Sequence, residues 1–106
     1  MSMNPVAYFI ETRGNCCENC GAPFTRENRP ERHHCLFKRD KHIPELDHEI
    51  NIELLGYVCC HRKGQVNSQA HAEVFAQRQI ERGYDVGAWI RCSLPLKYIE
   101  DWLLRL

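Results

Sequence analysis

At 106 residues the chain has the size of one small domain, with 14 basic against 14 acidic side chains, a balance that argues against a surface built to attract polyanions everywhere. So short a chain buries only a modest core, and a metal staple would help it fold. No run is apolar enough for a signal peptide or a membrane span, so the 7 cysteines are expected in a reducing, cytoplasmic setting. There Cys-x-x-Cys indicates metal binding before disulfide formation, and an odd cysteine count disfavours a complete set of internal disulfides.

In chain order, residues 1–4 read as a loose terminus. Residues 6–10 (Val-Ala-Tyr-Phe-Ile) form an apolar run long enough for a strand or a turn of helix. Residues 14–24 contain the knuckle Cys17-Glu18-Asn19-Cys20, and Gly21 directly after it suits a tight turn with positive φ. Residues 25–31 are polar, carry Pro30 and read as a loop. Strands are expected over 33–37 and 51–55, with a loop over 39–46 that includes Pro44. Residues 60–66 suit a short helix interrupted by Gly64. Ser68 is placed to cap a helix whose face is Ala72, Phe75, Ala76 and Ile80, with Gly83 closing it. Asp85 is placed to cap a turn holding Val86, Trp89 and Ile90. Pro95 opens a last helix with Leu96, Ile99, Leu103 and Leu106 on one face. The order is a β-rich, metal-bound half followed by a helical half.

Charge is unevenly spread. Residues 26–41 hold six basic side chains (Arg26, Arg29, Arg32, Lys38, Arg39, Lys41) against three acids, whereas 43–56 hold four acids and no Lys or Arg. The basic stretch flanks the paired histidines His33 and His34 and is suited to meeting phosphates; a solvated charged loop is the competing reading.

Three features follow one another: the pair His33-His34, then Asn51 inside the apolar run that follows Asp47-His48-Glu49-Ile50, then Cys60-His61. Together they resemble the HNH nuclease motif, and 44–51 (Pro-Glu-Leu-Asp-His-Glu-Ile-Asn) resembles the acidic-apolar approach to the Asn in phage-type members. The resemblance covers residues 17–67. It implies an α+β fold: a small ββα-metal (HNH, His-Me finger) domain over 1–106, with knuckle and core at 14–67 and a helical extension at 68–106. It also implies a metal-dependent endonuclease acting on DNA in a bacterial or phage-infected cell. By the same resemblance His33 is a ligand of a catalytic Mg²⁺, Mn²⁺ or other divalent cation, His34 the general base, Asn51 the residue that orients the base or approaches the metal, and His61 the second metal ligand. That division suits phosphodiester hydrolysis, in which a water must lose a proton while phosphate and leaving-group charge are neutralised. Neighbours on a strand point to opposite faces, which suits separate roles for His33 and His34. Arg32, Lys38, Arg39, Arg62 and Lys63, with Arg26 and Arg29, would contact phosphates.

The chain departs from the family at Leu55-Gly56-Tyr57-Val58-Cys59-Cys60-His61, where many members read Leu-Cys-x-x-Cys-His. Aligning Cys60-His61 with Cys-His places an insertion before it. An ungapped alignment would put Cys60 at the histidine, but hard divalent cations favour O and N over thiolate, which favours His61, with Asn67 as a further candidate. For a structural zinc, Cys17 and Cys20 supply two of four ligands. The resemblance puts the others near the motif's end, at Cys60 and Cys59, with Cys92 as a substitute for one of them because adjacent ligands are strained. Cys16 is off register, and Cys35 reads as a small buried residue.

Rival readings are a zinc-finger-like module that grips nucleic acid without cutting it, and an accessory domain docking on a larger phage or bacterial protein. His42, His48 and His71 are read as ordinary surface or core residues.

Overall fold

In the computed structural model, which describes residues 4–105, the chain is α+β: four helices around a two-stranded antiparallel sheet. The first apolar run is helical, α1 (Val6–Arg13), and buries Phe9 against Ile52 and Leu54. The knuckle follows. Cys17 N–H donates to the Ala22 carbonyl and Gly21 N–H to the Cys17 carbonyl, and Gly21 holds φ +79°, a left-handed conformation that glycine adopts without a Cβ penalty.

The strands are β1 (Pro30–His34) and β2 (Ile52–Gly56), paired so that His33 faces Glu53 and His34 faces Ile52. The expected strand over 33–37 is thus shifted towards the N-terminus, and Pro30 belongs to it, at the first position, where a missing N–H is tolerated. The reason for the early end is Asn51. Its carbonyl oxygens capture the next backbone donors: the main-chain oxygen accepts from Cys35 N–H, and Oδ1 accepts from Leu36 and Phe37 N–H. Asn51 itself ends a 3-10 turn (Glu49–Asn51) and is not part of β2. Another 3-10 turn, Pro44–Asp47, breaks the expected loop. After β2, the expected short helix is two 3-10 turns, His61–Lys63 and Gln65–Asn67, on either side of Gly64.

Helix α2 (Gln69–Glu81) begins as its sequence suggests: the Ser68 hydroxyl accepts from His71 N–H, and Gly83 closes the end with Tyr84 N–H bonded to the Gln79 carbonyl. Its buried face is Ala72, Phe75, Ala76 and Gln79, whereas Ile80 is exposed. Gln79 displaces Ile80 because its amide has partners inside, the Ile50 and Glu49 carbonyls at 2.9 and 3.3 Å. Asp85 caps α3 (Val86–Ser93) through Ala88 N–H, and Val86, Trp89 and Ile90 are buried. Helix α4 (Leu96–Arg105) keeps one residue of the expected face, Ile99, inward but rotates two others outward. Leu96 and Leu103 are exposed; Tyr98, Ile99 and Trp102 pack on the core. Phe37 selects that face, with the Tyr98 and Trp102 rings 5.2 and 6.2 Å away and the Arg105 guanidinium 4.7 Å over it. Leu106, like 1–3 of the terminus, lies outside the described residues.

The main core joins Leu36, Phe37, Leu46 and Ile50 to Phe75, Trp89 and Ile90, so the segment between the strands is packed directly on α2 and α3. Buried carboxylates fasten the rest. Glu53, fully buried, is held by Arg78 at 2.8 Å and His71 at 2.6 Å. Glu18 is held by Arg13 at 3.0 Å and by Arg82. Removing one partner would leave an uncompensated buried charge.

Candidate functional site

Cys17, Cys20, Cys59 and Cys60 come together, with all four Sγ atoms within 4.8 Å of one another. A tetrahedral thiolate site with bonds of about 2.3 Å spaces its sulfurs at about 3.8 Å, so a small contraction onto an ion completes it. The four cysteines can hold a metal such as zinc. The first two thiols come from the knuckle turn, the second two from the turn after β2. In that turn the alternation of a strand no longer applies, which is how neighbouring Cys59 and Cys60 both point inward. Cys92, the expected substitute, lies exposed on α3, and Cys16 stands outside the group.

Two residues that the sequence reading passed over build this turn. Asn28 Oδ1 accepts from Val58 and Cys59 N–H, both at 3.0 Å. Gly56 lies so close that a Cβ there would sit 2.6 Å from Cys59 Sγ and 2.5 Å from Asn28 Nδ2. The backbone N–H of Ala22 holds the Cys20 thiol below its ordinary range, favouring thiolate. Burial pushes the Cys60 thiol up to about 12, a cost that a bound cation would offset.

The histidine cleft lies beyond Cys60. His33, His34 and His61 line an open cleft of about 380 Å³ together with Arg32, Lys38, Arg39 and Asn67. A broader cleft of about 490 Å³ continues from His33, His34, Lys38 and Arg39 past Tyr98 to Arg105. The His33 and His61 rings meet edge to face with centroids 5.3 Å apart. Each imidazole has an acceptor on one ring nitrogen. His33 Nε2 is 3.0 Å from the Val66 carbonyl, His34 Nε2 is 2.8 Å from Asp47 Oδ1, and His61 Nδ1 is 2.8 Å from Glu31 Oε1. Carbonyls and carboxylates only accept, so the facing nitrogen carries the proton in each neutral ring. The lone pair is left on Nδ1 of His33, Nδ1 of His34 and Nε2 of His61. Burial holds His33 below the usual histidine range, which keeps it neutral, the form that binds metal.

Asn51 touches none of these rings through its amide. Oδ1 accepts from Leu36 and Phe37 N–H, and Nδ2 donates to the Phe37 and Leu46 carbonyls at 2.9 Å each. Both lone pairs and both hydrogens are thereby used on backbone, so the amide clasps the chain that follows His34 to the chain that precedes Asp47.

Of the basic residues, Arg32, Lys38 and Arg39 line the cleft. Arg62 and Lys63 are exposed on the 3-10 turn beside His61, and Arg26 is exposed. Arg29 lies over the Tyr57 ring and bonds Glu31 at 3.3 Å. His42 is exposed, and His48 Nδ1 accepts from Ile50 N–H at 3.0 Å.

His33, Cys35 and Glu53 also place ligand atoms within 4.8 Å of one another, all buried. Burial first, then the Glu53 carboxylate, raises the Cys35 thiol well above its ordinary range and keeps it protonated. The Glu53 oxygens are already bonded by Arg78 and His71. The signals for Glu31, Asp47 and Glu53 were only that each is an acid near a histidine in sequence or across the strand pair.

No protein-family model, curated protein or solved structure matches this chain. Among the described residues, no helix is long and apolar enough to cross a membrane.

Proposed function

We propose that the chain is a metal-dependent endonuclease of the HNH type that hydrolyses DNA phosphodiester bonds, with β1, β2 and the turns after them as a ββα-metal unit. One observation carries the reading: three imidazoles, each with one nitrogen occupied by an acceptor, line the same cleft as Arg32, Lys38 and Arg39.

In this reading His34 takes the proton from the attacking water as its oxygen bonds to phosphorus and the 3′ oxygen leaves. His33 and His61 are the nitrogen ligands for a divalent cation such as Mg²⁺ or Mn²⁺, which when bound supplies charge neutralisation at the phosphate and leaving oxygen. Glu31 fixes His61 with Nε2 available, the carboxylate–histidine arrangement typical of metal-ligating imidazoles. Arg32, Lys38 and Arg39 grip flanking phosphates, and the broader cleft towards Arg105 gives the strand a path. A structural zinc at Cys17, Cys20, Cys59 and Cys60 holds the knuckle against the turn that presents His61. A bacterial or phage-infected cytoplasm, with a larger phage or bacterial protein as partner, is the setting that this chemistry suits.

The test is nicking of supercoiled plasmid with Mg²⁺ or Mn²⁺ by wild type and His34→Ala. Positioned proton transfer contributes about 10²–10⁴-fold, so His34→Ala should lose roughly that in rate while keeping its DNA affinity and melting temperature. A wild type that binds DNA in a gel shift with EDTA but never cuts would make the chain a binding module instead.

A further inference from the structure

We propose that Asp47 is a positioning residue for the cleavage step: its carboxylate holds the His34 imidazole in one orientation and in the Nε2–H tautomer, leaving Nδ1 to receive the water's proton. This rests on the nuclease reading for its consequence, and on geometry for its existence.

Asp47 Oδ1 and His34 Nε2 are 2.8 Å apart, and the two side chains are only 21% and 12% exposed. The contact spans 13 residues and is not a local turn. It is assembled by the Asn51 clasp, which grips Leu36 and Phe37 just after His34 and Leu46 just before Asp47. Neighbouring carboxylates are committed elsewhere: Glu31 to His61 and Arg29, Glu53 to His71 and Arg78.

The choice of an acid has a chemical consequence. A carboxylate can only accept, so it dictates which nitrogen keeps its proton; an amide in its place can donate and permit the opposite tautomer. When water gives its proton to Nδ1, the ring becomes an imidazolium. The Nε2 proton stays on Nε2, and the carboxylate stabilises the new charge without taking a proton itself.

The experiment pairs Asp47→Asn with His34→Ala and their double variant in single-turnover cleavage, and reads the His34 tautomer by long-range ¹H–¹⁵N NMR. Asp47→Asn should lose on the order of 10²–10⁴-fold in rate with DNA affinity and melting temperature unchanged. In the His34→Ala background it should cost nothing more, because the two residues act as one unit. The wild-type spectrum should show neutral His34 protonated at Nε2, and Asp47→Asn should shift that population towards Nδ1–H. A wild-type rate in Asp47→Asn, an undiminished cost in the His34→Ala background, or a wild-type His34 protonated at Nδ1 would each overturn the assignment. If wild type does not cut DNA, the nuclease reading fails alone, and the spectra of wild type and Asp47→Asn still decide whether Asp47 sets the tautomer.

Discussion

Around Phe37 the rings of Trp89, Tyr98 and Trp102 lie 5.2–6.3 Å away, and Leu36, Leu46, Ile50, Phe75 and Ile90 complete a continuous apolar core. Around Cys60 the buried set, among the described residues, is Cys17, Leu55 and Val66, with Phe24 and Cys59 at its edge. The first region can be held by hydrophobic burial; the second has sulfur where the first has hydrocarbon. Burial secures the helices and the loop they cover, and the knuckle, where packing is thinner, carries four thiols that could hold a metal. His61, one residue after Cys60, belongs to the thinly packed side, so the cleft depends on both.

The largest effect should come from breaking the sulfur side. Cys17→Ser, or chelation of the wild type, should melt the knuckle and the 57–63 turn and abolish metal content, because metal affinity and folding free energy are coupled in such sites. Circular dichroism with metal analysis checks this; a variant with wild-type melting temperature and zinc content would refute a structural metal. The same site predicts a pH dependence. Thiolate is the binding form and the buried Cys60 thiol is raised to about 12, so binding expels its proton. Zinc affinity should therefore rise with pH and fall on acidification, as competition titrations across neutral pH would reveal.

Next comes the apolar side. Phe75 is fully buried against this core, and Phe75→Ala should cost about 3–5 kcal/mol in denaturant unfolding while the cysteines still bind zinc. Loss of zinc binding in that variant would mean that the two regions fold as one unit. Ser68→Ala removes the cap of α2 and should cost about 1 kcal/mol by thermal melting. Smallest of all, Leu104→Ser changes a side chain that is 88% exposed and should move stability by less than about 0.5 kcal/mol.

What could be read from the sequence was the local chemistry. The caps Ser68 and Asp85, the turn at Gly21 and the closure at Gly83 each depend on neighbours a few residues away, and each forms as expected. The Cys17/Cys20 pair was also identifiable from its spacing, whereas Cys59, Cys60 and the three histidines were picked out by the resemblance, and the fold brings each set together. What the sequence concealed depends on distant partners. Asn51 ends β1 early by meeting Leu36 and Phe37, and Gln79 takes Ile80's place inside because the Ile50 carbonyl waits for its amide. The face of α4 could not be chosen before Phe37 was in position: Leu96 and Leu103 fit the helical period as well as Tyr98 and Trp102 do. Glu53 is fully buried because Arg78 and His71, far off in the chain, reach its carboxylate, and nothing near it in sequence announces them.

The clasp at Asn51 has a further consequence for how the chain tolerates change. By joining Phe37 to Leu46 it seals the excursion between them at its root, so that 38–42, with the exposed side chains of Lys38 and Arg39, forms a tip hung from a closed neck. Lengthening a surface loop costs little in closure entropy, roughly 0.6 kcal/mol for each doubling. Residues inserted into that tip would therefore alter how far its cations reach without disturbing the ring of His34 below the neck.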